Sequence, residues 1–526
     1  MATVKEGPGP EPEGGREVDR PAAADPGAGA ARGRSAPGGG LLALVRGHLL
    51  FSIVVAVAVV PRVIAMLGFQ PAVLFRMDSF DYLWSADHLS PNVINPSGYS
   101  LFLWVLRPFH SLTLVAALQH LMGLVIATCV YAVLRRYGLP AWGATLAAVP
   151  VLFDPAQILV EQFIMADILA TTLMVVAFAV LLTRESPSLW RSVTAALFMG
   201  ASAIVRPTTL PLIILIPIYL LIQRVGLRRA GAALAAGALP VVAYLGWFDA
   251  AHGSFNLTNS NGLFLWSRTM SFANCAVIKP PPDLRALCPE AQPGRLAIRV
   301  PADRPLPKNY LWNRSTWEWQ PPSHRFVPDT AAFTSANNAR ALRFAVKAIA
   351  AQPQAYVGVV ARETVQPFTH TNLLRFPVNN KPDTVVLTPG NLQYASAAVK
   401  SYSGDTAAVA RIVHHRYGTE LRAPFVRIMS EYQQIVYLPG PLFGLIALTG
   451  LVGIVIPRRR TSAAVLLWVS AMIIMILPTA EHEYTYRYVI PAVPLLCVAA
   501  ALAFRKPKTA EEAGAPAVPA GSAAQH

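Results

Sequence analysis

Apolar runs recur along this chain on the scale of a bilayer, several of them near or above the ~20 residues that a membrane-crossing helix needs. The first spans about His48 to Gly68, the second about Ser111 to Leu134, the third about Pro140 to Phe153 and the fourth about Ile158 to Leu182. A fifth ends at Arg206-Pro207, a sixth at Arg224, Arg228 and Arg229, and a seventh covers about Ala232 to Ala251. After a long polar interval come an eighth at about Ile435 to Ile456, a ninth at about Ala463 to Leu477 and a tenth at about Val489 to Phe504. The pattern predicts a mainly α, polytopic membrane protein of about ten transmembrane helices with one large extracytoplasmic insertion.

The turns between these runs carry a sidedness. Arg135-Arg136, Arg184 with Arg191, Arg224 to Arg229, and Arg458-Arg459-Arg460 fall on alternate turns, as the positive-inside rule expects for the cytoplasmic face. Asp78, Asp154 and Glu481 fall on the other face. This divides the chain into a disordered cytoplasmic tail (1–40), an N-terminal transmembrane catalytic module (41–252) with an acidic first external loop (70–110), an extracytoplasmic loop domain (253–433), C-terminal transmembrane helices (434–504) and a second disordered cytoplasmic tail (505–526). Within the first external loop, Pro96-Ser-Gly-Tyr-Ser-Leu predicts a short interfacial helix with Tyr99, Trp104 and Phe109 at headgroup depth. The insertion is too long for a connection and reads as a functional domain. Its stretch Ala331 to Phe368 has helical spacing interrupted by Pro353, which predicts two helices lying on the membrane surface.

Composition agrees. Hydrophobic residues make up 54% and charged residues 14%, with mean hydropathy +0.43, which excludes an ordinary soluble domain. The formal charge of +16 does not imply nucleic acid, because much of it sits in the inner turns. The insertion is the exception, with about twenty basic against about ten acidic residues, and that excess suits an anionic partner. Cys129 and Cys497 lie in apolar runs; Cys275 and Cys288 lie in the insertion, where an oxidising compartment would allow a disulfide. No signal-peptide pattern precedes the first span, which must itself direct insertion. Nucleotide-binding glycine loops, zinc-protease and serine-hydrolase motifs are absent. Asn256 and Asn313 head formal glycosylation sequons of little weight, since the Ala/Pro/Arg-rich tails look bacterial.

The candidate chemistry is carried by charges at membrane depth. Asp78 either caps a juxtamembrane helix or acts as a general base; Asp81 three residues on could share its cation or its helix face. Asp154 and Glu161 can be read as helix-end acids, whereas Asp167, deeper in the fourth run, is harder to explain without a function. Arg206 either snorkels or presents a planar cation to a phosphate. Glu481-His-Glu-Tyr-Thr-Tyr-Arg-Tyr is either an aromatic belt or a clamp in which Arg487 takes a phosphate and Tyr484 and Tyr488 a sugar face, with Tyr82 as a third sugar contact. His482 and Asp167 are the candidate ligands of a divalent metal ion. Gln119 and His120 read as an interhelical hydrogen-bonding pair.

In order, Asp78-Ser-Phe-Asp-Tyr, Pro96-Ser-Gly-Tyr, Asp154-Pro through Met165-Ala-Asp-Ile-Leu, Arg206-Pro and Arg487-Tyr-Val-Ile-Pro resemble the GT-C superfamily of membrane glycosyltransferases, in particular its protein-mannosyltransferase and aminoarabinose-transferase-like group. The resemblance implies transfer of a sugar from a polyprenyl-phosphate donor to an envelope glycan, lipid or protein at the outer face of the cytoplasmic membrane, with inversion. Asp78 would be the base, Arg206 and Arg487 the phosphate ligands, and Asp154 or Asp167 would organise acceptor, metal or helix. The acidic pair is Asp-x-x-Asp rather than adjacent Asp-Glu, which departs from the protein-mannosyltransferase pattern, and the insertion matches no module of the group. A transporter or flippase of a lipid-linked saccharide would use similar charges, but would be expected to show related halves, which this sequence lacks.

Overall fold

The computed structural model describes residues 48–184, 186–288, 307, 311, 333–370, 374–377 and 419–505. The tails expected at 1–40 and 505–526, Arg505 apart, and the sequon at Asn313 lie outside them. The described residues form 18 α-helices and one two-stranded sheet. α1 (Leu49–Gly68) leads through β1 (Phe69–Gln70) to α2 (Arg76–His88) and α3 (Gly98–Leu106). α4 (Leu112–Arg136) is capped by the Ser111 hydroxyl, which accepts from the Leu114 amide. α5 (Ala141–Phe153) and α6 (Pro155–Gln162) meet at a 54° bend, and α7 (Asp167–Leu182) and α8 (Leu189–Val205) pack side by side. α9 (Leu212–Ile222) and α10 (Leu227–His252) complete the first module; α10 ends at Gly253, whose φ of 64° lies in the left-handed region that favours glycine.

α11 (Asn261–Thr269), α12 (Cys275–Ile278), α13 (Ser335–Ala351) and α14 (Pro353–Thr369) belong to the insertion. β2 (Glu420–Leu421) returns to pair antiparallel with β1, Phe69 opposite Leu421. α15 (Ala423–Ile435) bends by 55° into α16 (Gly440–Val455), followed by α17 (Ser462–Glu481) and α18 (Ala492–Leu502). α1, α4, α10 and α17 are each long and apolar enough to cross a membrane, and the two bent pairs raise the number to six. α7, α8, α9 and α18 are apolar but shorter. The molecule is thus mainly helical, with four to six candidate spans among the described residues.

Two hydrophobic cores stand apart. The larger runs through the apolar helices. The smaller unites Ile94, Trp266, Met270, Leu287, Phe344 and Ala348, from the α2–α3 connection, α11 and the turns that follow it, and α13. Cys275 and Cys288 are disulfide-bonded at its edge. α13 buries its apolar face, Ala341, Phe344, Ala345 and Ala348, against α11. α14 packs on α16 and α17. The short helix expected after Pro96 forms as α3, and its Tyr99, rather than facing outward, is fully buried and donates to Gln119 Oε1 at 2.7 Å.

The fourth expected span is not one helix either. The chain breaks between α6 and α7 at 163–166. Val73 makes a parallel bridge there, donating to the Gln162 carbonyl at 2.9 Å and accepting from the Ile164 amide at 3.0 Å. Gln119 Nε2 donates to the carbonyls of Glu161 and Phe163 at 2.9 and 2.7 Å. Non-helical backbone at membrane depth persists only when protein groups satisfy it, and here they do.

Candidate functional site

The break at Asp154-Pro155 leaves carbonyls at the end of α5 that need donors. Arg62, in the middle of α1, donates to Leu152 O at 2.7 Å and Val151 O at 3.3 Å, and Tyr432 donates to Phe153 O at 2.6 Å. The Arg62 charge is met by Glu161: Nε lies 2.8 Å from Oε2 and Nη2 2.8 Å from Oε1. His120 Nδ1 lies 2.8 Å from Glu161 Oε2, and Gln157 Nε2 donates to Oε1 at 3.0 Å. Both Arg62 and Glu161 are buried. Gly123 lies directly beneath, where a Cβ would collide with the Glu161 carboxylate. The helix-end reading of Glu161 as an acid reaching water therefore fails; it is a fully enclosed structural acid. Asp154 caps α6, accepting from the Ala156 amide at 2.8 Å. Gln119 and His120 serve as the interhelical pair that their position suggests.

A second set of charges meets at one end of the helices. Asp167 opens α7, Arg206 follows the last residue of α8, Arg487 precedes α18 and Asp78 sits in the first turn of α2. Arg206 Nη1 bonds Asp167 Oδ1 at 2.5 Å. The Arg206 guanidinium lies over the Tyr488 ring, 4.7 Å from its centroid. Arg487 lies over Phe75 at 4.6 Å and 5.3 Å from the Tyr488 centroid, so Tyr488 is shared by the two cations. Both terminal nitrogens of Arg487 stand 3.4 Å from Asp78 Oδ2, across 409 residues of chain. Tyr82 is buried among Asp78, Arg206, Asp167 and Arg487; burial, then the Asp78 charge, pushes its hydroxyl well above the usual range. Asp167 Oδ2 and Arg487 Nε are buried without a hydrogen-bond partner among the described residues. Buried polar atoms of a native fold are normally satisfied, which sets these two apart.

The local fold explains how Asp78 reaches this position. α2 is not capped by Asp78: its N-cap is Phe75, with no side-chain bond. Ser79 does the tethering, accepting from the Phe75 amide at 2.8 Å and donating to the Ile164 carbonyl at 2.9 Å. That frees the Asp78 carboxylate, whose side chain is 29% exposed, to face Arg487. Asp81 does not join it. Asp81 is buried and turned to Asn95, away from Arg487; burial and then Asp78 hold its carboxyl well above the usual carboxylate range.

His482 and Tyr484 belong to a neighbouring structural cluster. Arg268, wholly buried on α11, makes a bidentate pair with Glu363 of α14 at 2.9 and 2.7 Å and donates to the His482 carbonyl at 2.7 Å. Glu363 also accepts from the Tyr484 amide at 2.8 Å, and Ser267 bonds His482 Nδ1 at 3.0 Å. The insertion thereby holds the backbone that leads to Arg487. His482 and Asp167 are engaged with Ser267 and Arg206, and among the described residues no three His, Cys, Asp or Glu side chains gather to hold a metal.

Several contributors escape a reading of the sequence. Arg62 is a lone charge inside an apolar run, a signal that was there to find. Phe75 and the Arg268–Glu363 pair carry no motif. Compared with protein-family models, with curated proteins and with solved structures, the chain finds no match in any of the three.

Proposed function

We propose that this chain is a GT-C-like membrane glycosyltransferase that moves a sugar from a polyprenyl-phosphate donor to an acceptor of the cell envelope. The observation that carries the reading is the convergence of Asp78, Asp167, Arg206 and Arg487, from four distant stretches, around the Tyr488 ring that the two arginines share. Two guanidinium groups at one helix end suit a lipid-borne phosphate, and a partly exposed carboxylate beside them suits a base.

In this reading the acceptor hydroxyl or amine gives its proton to Asp78 as its heteroatom bonds the anomeric carbon. The anomeric C–O bond breaks, and its electron pair stays on the phosphate oxygen. Arg206 and Arg487 stabilise the charge that grows there. Asp78 also favours the oxocarbenium-like state, and one displacement inverts the anomeric centre.

The remaining expectations belong to the same proposal. About ten helices cross the cytoplasmic membrane if each of the shorter apolar helices and each bent pair counts as one span. The site faces outward. In support, Arg136, Arg191 and Arg459 bond at the opposite ends of α7 and α18, on the side where cytoplasmic arginines belong. The Cys275–Cys288 disulfide suits an extracytoplasmic insertion.

The test is transfer itself. Purified protein and a radiolabelled polyprenyl-phosphate sugar should lose label from the lipid in an acceptor-dependent way. Asp78→Asn should slow that loss by about 10²–10⁴-fold. Normal transfer by Asp78→Asn would reject the base assignment. Label that only changes leaflet would establish a transporter instead.

A further inference from the structure

We propose that Asp78 and Arg487 form an exchangeable pair: the donor's anion draws Arg487 away, and only then is the Asp78 carboxylate free to take the acceptor's proton. This rests on the reading above and deepens it, because it sets an order in which the donor must bind before acceptor can be activated.

Three observations lead there. First, the ion pairs around the site differ in grip. Arg206 holds Asp167 at 2.5 Å and Arg268 holds Glu363 through two bonds at 2.7 and 2.9 Å. Arg487 reaches Asp78 only at 3.4 Å, with both nitrogens crowded onto one oxygen. A charge-assisted bond at its optimum is about 2.7–2.9 Å, so this is the loose pair of the set.

Second, Arg487 has capacity to spare. Its Nε is buried and unpartnered among the described residues, and its plane is held by Phe75 and Tyr488 rather than by Asp78. A phosphate can take Nε and one terminal nitrogen together while the guanidinium slides along those rings. Third, Asp78 is the accessible partner. Its side chain is 29% exposed against 12% for Arg487, so an acceptor can approach the carboxylate once the cation withdraws. While both terminal nitrogens of Arg487 face Asp78 Oδ2, they occupy the side of that oxygen where an acceptor's proton would be received. Transfer of that cation to the phosphate therefore does two jobs: it neutralises the leaving group and uncovers Asp78 Oδ2 for the acceptor.

The consequence is testable in binding alone. If Asp78 competes with the anion for Arg487, removing its charge must tighten anion binding even as it slows transfer. Farnesyl phosphate titrated calorimetrically into the full chain in detergent is the probe. Asp78→Asn should bind it about three- to tenfold tighter than the wild type, and Asp78→Ser, a second variant in case the first misfolds, should do the same. Arg206→Gln and Arg487→Gln should each bind it about tenfold more weakly. In Arg487→Gln, the further change Asp78→Asn should give no gain. Should both Asp78 variants bind equally or more weakly while the arginine variants are impaired, the exchange is refuted and the anion site stands. Should the arginine variants bind as the wild type does, the anion site itself fails, and the exchange with it.

Discussion

Glu161→Gln separates a structural from a functional reading of the membrane acids. The substitution keeps one carbonyl acceptor but removes the charge that faces Arg62 at 2.8 Å twice over, and sets an amide where His120 or Arg62 expects an acceptor. Two estimates compete. If only hydrogen bonds matter, interhelical bonds at about 0.6 kcal/mol each make the loss about 1–2 kcal/mol. If the uncompensated buried guanidinium dominates, the cost is about 3–5 kcal/mol. Arg62 is 2% exposed and its other partners are backbone carbonyls, which cannot balance a full charge. The second estimate should win. Reversible unfolding in mixed micelles measures it, and the double change Arg62→Met with Glu161→Leu should recover much of the loss, because a well-packed apolar pair carries no desolvation penalty. A loss below about 1 kcal/mol for Glu161→Gln, or a double variant no better than the single one, would refute the argument. Farnesyl phosphate binding by the folded double variant should match the wild type, since neither residue touches the site.

Gly123→Ala should destabilise the fold by about 1–3 kcal/mol in the same assay, because the new methyl meets the Glu161 carboxylate in a filled space. Asp81→Asn should raise the melting temperature at neutral pH. The folded carboxyl is held above its unfolded value, so its stabilising share is complete below the unfolded value and lost as pH rises through the folded one; the gain from Asn should shrink as pH falls. Cys275→Ser with Cys288→Ser should cost the insertion about 3 kcal/mol, the chain-entropy figure for a loop of this size, read as earlier proteolysis of the smaller core with α4 and α17 unaffected.

Which parts of this arrangement a sequence can reveal follows from how costly each residue is where it lies. Asp167 interrupts an apolar run, where a charge needs a reason that neither packing nor solubility supplies, and Arg206 and Arg487 stand at the ends of such runs. Their order along the chain then puts them on one face. The break at 163–166 is different. Phe-Ile-Met-Ala reads as ordinary apolar helix, and what stops the helix is Gln119 and Val73, brought in from other elements. The same holds for Asp81, which shares a helix turn with Asp78 but is separated from its chemistry by burial against Asn95. Spacing reports a shared face; it cannot report what stands opposite that face.

The insertion acquires a role from this. Arg268 and Glu363 lie 95 residues apart within it, and neither belongs to a motif. Together they grip the carbonyl of His482 and the amide of Tyr484. Burial pushes Glu363 up and Arg268 down, each against the pull of the other, so the pair costs desolvation that its own attraction only partly offsets. Such a pair is a poor choice for stability alone. Its geometry is a good choice for fixing a backbone: a planar fork and a carboxylate, each with one more bond to give, set the direction of the chain three residues before Arg487. Arg487 must face Asp78 from the far end of the sequence, and the short 3-10 turn that presents it, Tyr486–Tyr488, has few bonds of its own to stiffen it: the Tyr488 amide donates to the Thr485 carbonyl at 2.9 Å and the Val489 amide to the Tyr486 carbonyl at 3.0 Å. The buried pair supplies that stiffness from outside the helices, and so ties the folded state of the insertion to the geometry of the charged site.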